Sequence, residues 1–517
     1  MPKHVSSLEL ALNERSPRTP LTQWLYEGLR RAILSRRLPP GTRLPATRDF
    51  ARQYNVSRGT VVTAFEQLQT EGYLVCQVGA GTWVDECLPG NLLGARKQQV
   101  QTWKMPSPVR GLLFSRPARP FRSYEPAIAE FPVEIWARVA GRRLRRSPAS
   151  LLAIGEVAGY KLLREAVAAY LGSSRGVNCS SEQIVIVSGV QQGLDILTRI
   201  LVKPGEAVWM EDPGYFGAAA VFRNAGARII PLPVDEHGLK VPKGTNPRFR
   251  AKAAFLTPAH QCPLGMTMPL ERRLAILAWA RDTGAFIFED DYDSEYRFEG
   301  RPVPALQGLD RDGSVILLGS FNKVLFPSLR MGYVVLPGAL IDPFLRLRSG
   351  VDMYPSGPDQ AILCDFIVEG HFGRHIRRMR ELYASRLAAL QDSARRYLAG
   401  LLDIPPIQAG LHTAALLRNG MTSQQAEAAA AAAGIETVAL SRFALRRTDV
   451  HGLQLGFAAF EEREIRSATM ALARALEGLG PAGTRERMQI KSHPIGWPEN
   501  VSFASTGRPS ASSGSNS

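Results

Sequence analysis

The chain has 517 residues, of which 45% are hydrophobic and 21% are charged, and its formal net charge is +16. This length exceeds one ordinary core, so we expect two or three domains. No apolar run approaches the ~20 residues of a membrane-spanning helix, and the N-terminus lacks a signal-peptide pattern. Five scattered cysteines without a CxxC pair favour neither a disulfide framework nor a zinc site. We therefore expect a cytoplasmic protein without a metal.

Charge and composition divide the chain into zones. The first 120 residues carry 17 Lys and Arg against 8 Asp and Glu, which favours a nucleic-acid partner for this part. The pattern of apolar periods and breaks predicts five segments: an N-terminal extension (1–19), a DNA-binding domain (20–86), a linker (87–124), a large α/β domain (125–480) and a disordered tail (481–517).

The sequence of the basic N-terminal zone predicts two short helices followed by a pair of strands. One helix starts near Thr47, and Ser57 is a good N-cap for the next helix, whose Val61, Phe65 and Leu68 share one face. Such a pair is typical of a helix-turn-helix, whose second helix enters the major groove. GYLVCQVGAGTWV then predicts two strands around a glycine turn, which form a wing. The alternative is a small packing module whose arginines are merely solvated.

The start of the second helix presents the candidate DNA contacts, which are Arg58, Gly59, Thr60 and Thr63. The run PLTQWLYEGLRRAILSRRLPPGTRLPATRDFA, then VSRGTVVTAFEQL and EGYLVCQVGAGTWV, resembles the winged helix-turn-helix of the GntR family of bacterial regulators. This resemblance adds two arginines of the PGTRLPATR segment, Arg43 and Arg48, to the candidate DNA contacts.

The large domain alternates strand-like apolar runs with helix-length stretches. QIVIVSG, AVWMED, RIIPLPV, KAAFLTP, AFIFEDD and SVILLGS are short and apolar, as a mostly parallel buried sheet requires. The predicted fold class is therefore α/β for this domain.

The segment GSFNKVLFPSLRMGY places Lys323 among mostly apolar neighbours. A partly desolvated lysine forms a Schiff base with an aldehyde cofactor, and pyridoxal 5'-phosphate (PLP) combines that chemistry with a phosphate anchor. Ser320 and Arg330 then close a phosphate cup, together with backbone N–H groups of Val190 and Gln191 at a helix start.

Other segments supply the remaining parts of a PLP site. Asp290, at the end of a strand, is the carboxylate for the pyridine nitrogen, and Tyr292 or Gln261 is a donor to the 3-oxygen of the ring. Tyr215 in EDPGYFG is placed to stack on the ring. Each residue alone has an ordinary structural explanation, such as a solvated loop end or core packing. The ordered set favours the cofactor site.

This ordered set resembles the fold-type I PLP enzymes, the aspartate aminotransferase superfamily, over about residues 125–478. GYKLLREAVAAYLGSSRGVNC and EGHFGRHIRRMRELYASR narrow the resemblance to the MocR or GabR group, which joins a GntR-type head to an aminotransferase-like body. The resemblance implies a mostly parallel central sheet, a smaller C-terminal α/β subdomain and a head-to-tail homodimer. It also implies an effector that is a small amine, an amino acid or PLP itself.

The sequence departs from the family pattern at several positions. Asn322 replaces the usual serine before the lysine, which exchanges a hydroxyl for an amide donor of similar reach. Cys262 and Leu264 replace the usual aromatic residue and threonine of the segment after Gln261. Gln454 stands where an arginine would grip a substrate carboxylate.

An arginine from SRFALRRTD offers a substitute for that grip: Arg442, Arg446 or Arg447. The sequence does not choose among these three.

The leading hypothesis is a transcriptional regulator that binds promoter DNA and whose PLP-binding body senses an effector. One alternative is an active aminotransferase with a DNA-binding head for feedback control. A second alternative is a dimeric DNA-binding protein whose body has lost the cofactor, to which Asn322 gives some weight. The sequence names neither the effector nor the operator, nor whether DNA binding activates or represses.

Overall fold

The computed structural model describes residues 19–77, 81–86, 119–242, 250–300, 303–418 and 420–479. The predicted tail, most of the linker and nearly all of the N-terminal extension lie outside the described residues. The chain divides into two compact units. We call the first unit, with its described residues 19–77 and 81–86, the head, and the described residues 119–479 of the second unit the body.

The head consists of three helices and a small antiparallel sheet. The helices are α1 (Leu21–Leu34), α2 (Thr47–Gln53) and α3 (Arg58–Thr70). The strands are β1 (Arg43–Leu44), β2 (Leu74–Gln77) and β3 (Gly81–Val84), in the order β1-β3-β2. The predicted helix pair and the two wing strands are both present.

Local chemistry explains where α3 begins and how it packs. The Oγ atom of Ser57 accepts a hydrogen bond from the backbone N of Thr60 at 3.0 Å, which caps the helix. Val61, Phe65 and Leu68 are buried in the head core, as the helical period predicts. The polar face of α3 is consequently left at the surface.

The body is built on an eight-stranded central sheet. Its strands are β4 (Ile184–Val187), β5 (Ala207–Asp212), β6 (Arg228–Asp235), β7 (Gly238–Leu239), β8 (Ala253–Leu256), β9 (Phe286–Asp291), β10 (Val315–Ser320) and β11 (Gly332–Val335). The order is β4-β11-β10-β9-β8-β5-β6-β7, and the run from β10 to β6 is parallel. All six predicted strands are present, whereas the antiparallel β7 and β11 were not predicted.

Helices cover the sheet and extend into the rest of the body. Up to the end of the central sheet they are α4 (Val133–Arg145), α5 (Ala149–Leu152), α6 (Lys161–Arg175), α7 (Val190–Leu201), α8 (Phe216–Asn224), α9 (Leu270–Thr283) and α10 (Leu306–Leu309). After it come α11 (Gly338–Ser349), α12 (Gly357–Val368) and α13 (His371–Tyr397). Strands such as β4 and β10 are buried along their whole length, which explains their continuous apolar runs, whereas β6 has exposed residues.

A second, smaller sheet follows in the chain. It contains β12 (Leu402–Asp403), β13 (His412–Leu417), β14 (Val438–Ala439) and β15 (Gly452–Gly456) in the order β12-β13-β15-β14. Helices α14 (Ser423–Ala432) and α15 (Glu462–Glu477) belong to the same subdomain. This arrangement is the smaller C-terminal α/β subdomain that the resemblance implies.

The basic segment HFGRHIRRMR forms the start of α13. Phe372, Ile376, Met379 and Tyr383 are buried along one face of this helix, so the basic residues lie on an amphipathic helix of the body core. No helix in the described ranges has the length and hydropathy needed to cross a membrane.

Candidate functional site

Strands β9, β10 and β11 bring three loops to one edge of the central sheet. β9 and β10 are parallel neighbours, with Leu318 opposite Asp290. β11 runs antiparallel, and it pairs Gly332 with Ser320 on one side and with Val187 on the other. The turn after β10, the carboxylates at the end of β9 and the loop between β4 and α7 therefore meet.

Lys323 lies in the turn that follows β10. Its Nζ atom donates a hydrogen bond to the backbone oxygen of Tyr124 at 3.0 Å and lies 5.1 Å from the centroid of the Tyr124 ring. Burial lowers the pKa of Lys323 to about 8, although the nearby carboxyl of Asp293 acts in the opposite direction. A lysine in such surroundings holds more of its amine in the neutral, nucleophilic form.

Asp290 presents a buried carboxyl group beside this lysine. Its Oδ1 atom has no hydrogen-bond partner among the described residues. Burial raises the pKa of Asp290 well above its usual range, the carboxyls of Asp291 and Asp293 add to that rise, and Lys323 opposes it. Asp291 itself accepts a hydrogen bond from Nε of Arg175 at 2.9 Å. Asp290, unlike Asp291, forms no ion pair among the described residues, so its carboxyl group remains available to a ligand.

The amino end of α7 approaches the same turn. Gly189, which precedes Val190, has a φ of 145°, and a Cβ atom built there would lie 3.4 Å from Nδ2 of Asn322. The amide of Asn322 therefore lies beside the helix N-terminus. Its Oδ1 accepts from the backbone N of Met331 at 2.9 Å, and its backbone N donates to Oγ of Ser320 at 3.2 Å. These bonds fix the shape of the turn around Lys323.

The two other residues predicted for the phosphate cup lie at its margin. Gln191 donates from Nε2 to the backbone oxygen of Gly217 at 2.8 Å, which ties α7 to the start of α8. Arg330 is exposed and has a φ of 50°. The N–H groups of Val190 and Gln191 stand in the first helical turn, where no intrahelical acceptor exists and an anion is favoured.

The residues predicted to surround the PLP ring make different contacts within the body. Tyr215 is the N-cap residue that precedes α8, and burial, aided by the Asp290 carboxyl, raises the pKa of its phenol. The hydroxyl of Tyr292 lies 3.1 Å from Nδ1 of His260. Gln261 donates from Nε2 to the backbone oxygens of Pro213 at 2.9 Å and of Cys262 at 2.7 Å. Both amide hydrogens of Gln261 are therefore used to hold the loops together.

Tyr124 and His412 contribute to the site without having been predicted for it. Besides its backbone contact with Lys323, Tyr124 has a hydroxyl group 2.8 Å from Nε2 of Gln454 and 3.1 Å from Sγ of Cys262. The rings of Tyr124 and His412 lie 4.6 Å apart. Neither residue stands in a recognisable motif, because Tyr124 falls at the end of the predicted linker and His412 begins a strand of the small sheet.

Two of the three arginines proposed for the effector carboxylate are paired with other carboxylates, and the third is exposed. Arg442 forms hydrogen bonds with both carboxylate oxygens of Glu427 at 2.7 to 3.0 Å. Arg447 is paired with Asp449 at 2.5 Å. Arg446 is exposed. The segment that carries them is anchored through its backbone, since the N–H groups of residues 445, 446 and 447 donate to the carboxylate of Asp212.

The candidate DNA contacts lie in the head. The six residues are Arg43, Arg48, Arg58, Gly59, Thr60 and Thr63. Arg58 and Gly59 are exposed at the start of α3, and Thr63 is exposed one turn later. The guanidinium of Arg43 lies over the ring of Trp83 in the wing, 5.5 Å from its centroid. Recognition helix, wing and basic side chains are thus present in one small unit.

Each of the two units matches a known protein family. Residues 21–84 match the family described as bacterial regulatory proteins of the gntR family. Residues 128–461 match the family described as aminotransferase class I and II. A GntR-type winged helix joined to an aminotransferase fold defines a class of DNA-binding transcriptional regulators.

Within this class, the chain belongs to the MocR group of regulators. It is 41% identical to the probable rhizopine catabolism regulatory protein MocR of Rhizobium meliloti, over 91% of this chain and 96% of the relative. It is 32% identical to the HTH-type pyridoxine biosynthesis transcriptional regulator PdxR of Corynebacterium glutamicum, over 89% of this chain and 97% of the relative.

Solved aminotransferases share the fold of the body. A kynurenine aminotransferase of Pyrococcus horikoshii, solved with PMP, superposes with a TM-score of 0.67 at 25% identity, covering 76% of this chain and all of that one. The α-aminoadipate aminotransferase LysN of Thermus thermophilus superposes with a TM-score of 0.64 at 27% identity, covering 69% of this chain and 92% of that one. The body is therefore an aminotransferase-type fold with a mixed central sheet.

Proposed function

We propose that this regulator binds PLP at Lys323 and responds to a small amine, an amino acid or PLP itself. The observation that carries the proposal is the pairing of a buried amine with a lowered pKa and a buried, unpartnered carboxyl oxygen, on Lys323 and Asp290. A ligand that donates a hydrogen bond would satisfy this carboxyl oxygen, and such a buried pair of amine and carboxyl is typical of a functional site. The aminotransferase relatives of the body support the identity of the cofactor.

The residues at the sheet edge fit this cofactor. Asp290 would accept a hydrogen bond from a protonated pyridine nitrogen, and the cationic ring would offset the cost of burying the carboxylate. The N-terminus of α7, with Ser320 and Asn322, would hold the phosphate. When bound, PLP supplies an aldehyde that reacts reversibly with primary amines.

The remaining residues have roles around the ring. Tyr215 and Tyr292 would exclude water from it, with Arg330 at the phosphate side. Gln261 acts in this proposal through the backbone: its amide locks the loop after β8 against Pro213, and that loop carries Cys262 into the site. Lys323 holds the aldehyde end, because its amine is neutral in a large fraction of molecules near pH 8.

We further propose that the protein is a homodimer that contacts double-stranded DNA through the six head residues named above. Large apolar side chains exposed on the body support an interface between two copies: Val133 is 60%, Leu152 70% and Ile154 80% exposed. Large apolar side chains exposed at a surface are typical of areas that are covered in an assembly. Light scattering of the full chain should give twice the monomer mass.

Absorbance spectroscopy tests the cofactor proposal. Purified protein incubated with PLP and freed of excess should show visible absorbance from the bound cofactor. Lys323→Ala should abolish this absorbance, whereas Lys203→Ala, which removes an exposed lysine elsewhere in the body, should preserve it. If Lys323→Ala kept the spectrum of the wild type, the assignment of this lysine would be wrong.

A further inference from the structure

A group of neutral polar side chains is buried beside Lys323, on the side where Tyr124 lies. Gln454, on β15, is fully buried, and its Nε2 donates to the hydroxyl of Tyr124 at 2.8 Å. Its Oε1 atom has no hydrogen-bond partner in the described part of the chain. A buried amide oxygen without a partner is unfavourable, so this position favours a ligand that can donate a hydrogen bond.

His412 adds a second unsatisfied group. It is fully buried on β13, and neither ring nitrogen has a hydrogen-bond partner among the described residues. Burial lowers the pKa of His412 well below its usual range, and the nearby His260 and Lys323 add to this effect. The ring is therefore a neutral imidazole, with one N–H donor and one nitrogen acceptor.

The charges around this group disfavour a carboxylate. The described ionisable residues that act on Lys323 include the carboxyls of Asp293 and Asp290, and His260 is already paired with Asp293 at 3.0 Å. Arg442 and Arg447 are held by their own carboxylate partners. Arg446 is exposed, whereas Gln454 and His412 are fully buried. A carboxylate buried against these two side chains would therefore lose its hydration without a buried guanidinium to compensate, which is unfavourable.

We propose that the effector is an amine that carries neutral hydroxyl groups in place of a carboxylate, and that Gln454 and His412 select it. A hydroxyl group both donates and accepts, so it satisfies the oxygen of Gln454 and either nitrogen of His412. The inference rests on the proposed function, since it places the effector amine near the cofactor held by Lys323.

Two amines that differ only at the far end test this inference. Propanolamine and β-alanine have the same spacing between the amine and the polar end, which is a hydroxyl in one and a carboxylate in the other. Each is titrated into PLP-loaded full-length protein while the cofactor absorbance is followed. We expect the wild type to respond to propanolamine at about tenfold lower concentration than to β-alanine, because only the carboxylate is left unpaired.

Two variants of Gln454 sharpen the test. Gln454→Arg should reverse the preference by about tenfold or more, because a guanidinium binds a carboxylate through two hydrogen bonds. Gln454→Met keeps the volume but not the hydrogen bond, and it should weaken the propanolamine response by about fivefold with little change for β-alanine. Melting curves show whether each variant folds. If Gln454→Arg does not fold, the response of Gln454→Met to the two amines tests the inference.

The outcomes separate this inference from the cofactor proposal. A wild type that shows cofactor absorbance but responds equally to both amines, to neither, or better to β-alanine overturns the inference alone. A wild type without cofactor absorbance overturns the cofactor proposal and the inference with it.

Discussion

The amine of Lys323 donates a hydrogen bond to the backbone oxygen of Tyr124, which lies 199 residues earlier in the chain. The same tyrosine places its hydroxyl against Gln454 and Cys262. Tyr124 therefore links the amine at the sheet edge to the polar groups of the small subdomain. Its backbone oxygen and its ring contact Lys323, whereas its hydroxyl contacts Gln454 and Cys262, and this separation can be tested.

Tyr124→Phe should affect effector binding and leave the cofactor in place. The substitution removes the hydroxyl that holds Gln454, but it keeps the ring and the backbone oxygen that contacts Lys323. We expect cofactor absorbance of wild-type size and an effector response about tenfold weaker, as for loss of one buried hydrogen bond. The control is Tyr397→Phe, at the end of α13. Loss of cofactor absorbance in Tyr124→Phe would contradict the division of roles.

PLP binding should depend on the donor atom of the Asn322 amide, Nδ2, rather than on its acceptor atom, Oδ1. In Asn322→Asp, a carboxylate oxygen can still accept from the backbone N of Met331, but an anion replaces the amide nitrogen next to Gly189. We expect the affinity for PLP to fall by more than about tenfold, because the new charge faces the proposed phosphate position. Asn322→Ser, which restores the usual residue of the family, should bind PLP at least as well as Asn322→Asp does. Equal affinity of wild type and Asn322→Asp, measured by equilibrium dialysis, would place the phosphate elsewhere.

The rate of PLP uptake should depend on pH through Lys323. Because burial lowers the pKa of this lysine to about 8, the amine is mostly protonated at pH 6 and mostly neutral above pH 8. The uptake rate should therefore rise as the pH increases towards about 8 and level off above it, well below the ordinary lysine pKa of about 10.4. Stopped-flow absorbance measures this profile. A rate that still climbs steeply between pH 9 and 10 would show that the lysine is not buried as described.

Arg58→Ala should weaken DNA binding through the head. Arg58 is exposed at the start of α3, where its Nε lies 3.4 Å from Oγ1 of Thr47. If it contacts a phosphate, its removal should lower the dependence of log affinity on log salt concentration by about one unit. Fluorescence anisotropy with DNA from immediately upstream of the gene measures both quantities. Arg281→Ala removes an exposed arginine of the body and should change neither.

The placement of Asp290 and Lys323 could be predicted because it depends on sheet geometry. Parallel strands end at one edge, so Asp290 at the end of AFIFEDD and Lys323 just after SVILLGS were expected to meet, and the register of β9 and β10 brings these strand ends together. The helix start at Val190 follows from the same rule. The winged helix was predictable because Ser57 and its apolar period are local signals.

The periphery of the site depends on contacts between distant segments. Tyr124 contacts Lys323, and His412 contacts Tyr124, through tertiary packing alone, and no local pattern marks either residue. Gln261 was expected to present a donor to a ligand, yet neighbouring backbone oxygens use its amide hydrogens. Likewise, only the fold shows that Arg442 lies against Glu427, which is 15 residues away in sequence.

The most direct test measures whether the site in the body controls DNA binding by the head. Affinity for the upstream DNA is determined by anisotropy for the cofactor-free protein, for the PLP-loaded protein and for the loaded protein with propanolamine. We predict that affinity changes by about 5- to 150-fold between these states, which corresponds to a coupling of ~1 to 3 kcal/mol. Lys323→Ala should bind DNA with one affinity in all three conditions. An affinity of the wild type that is the same with and without cofactor and amine would contradict a PLP-dependent regulator.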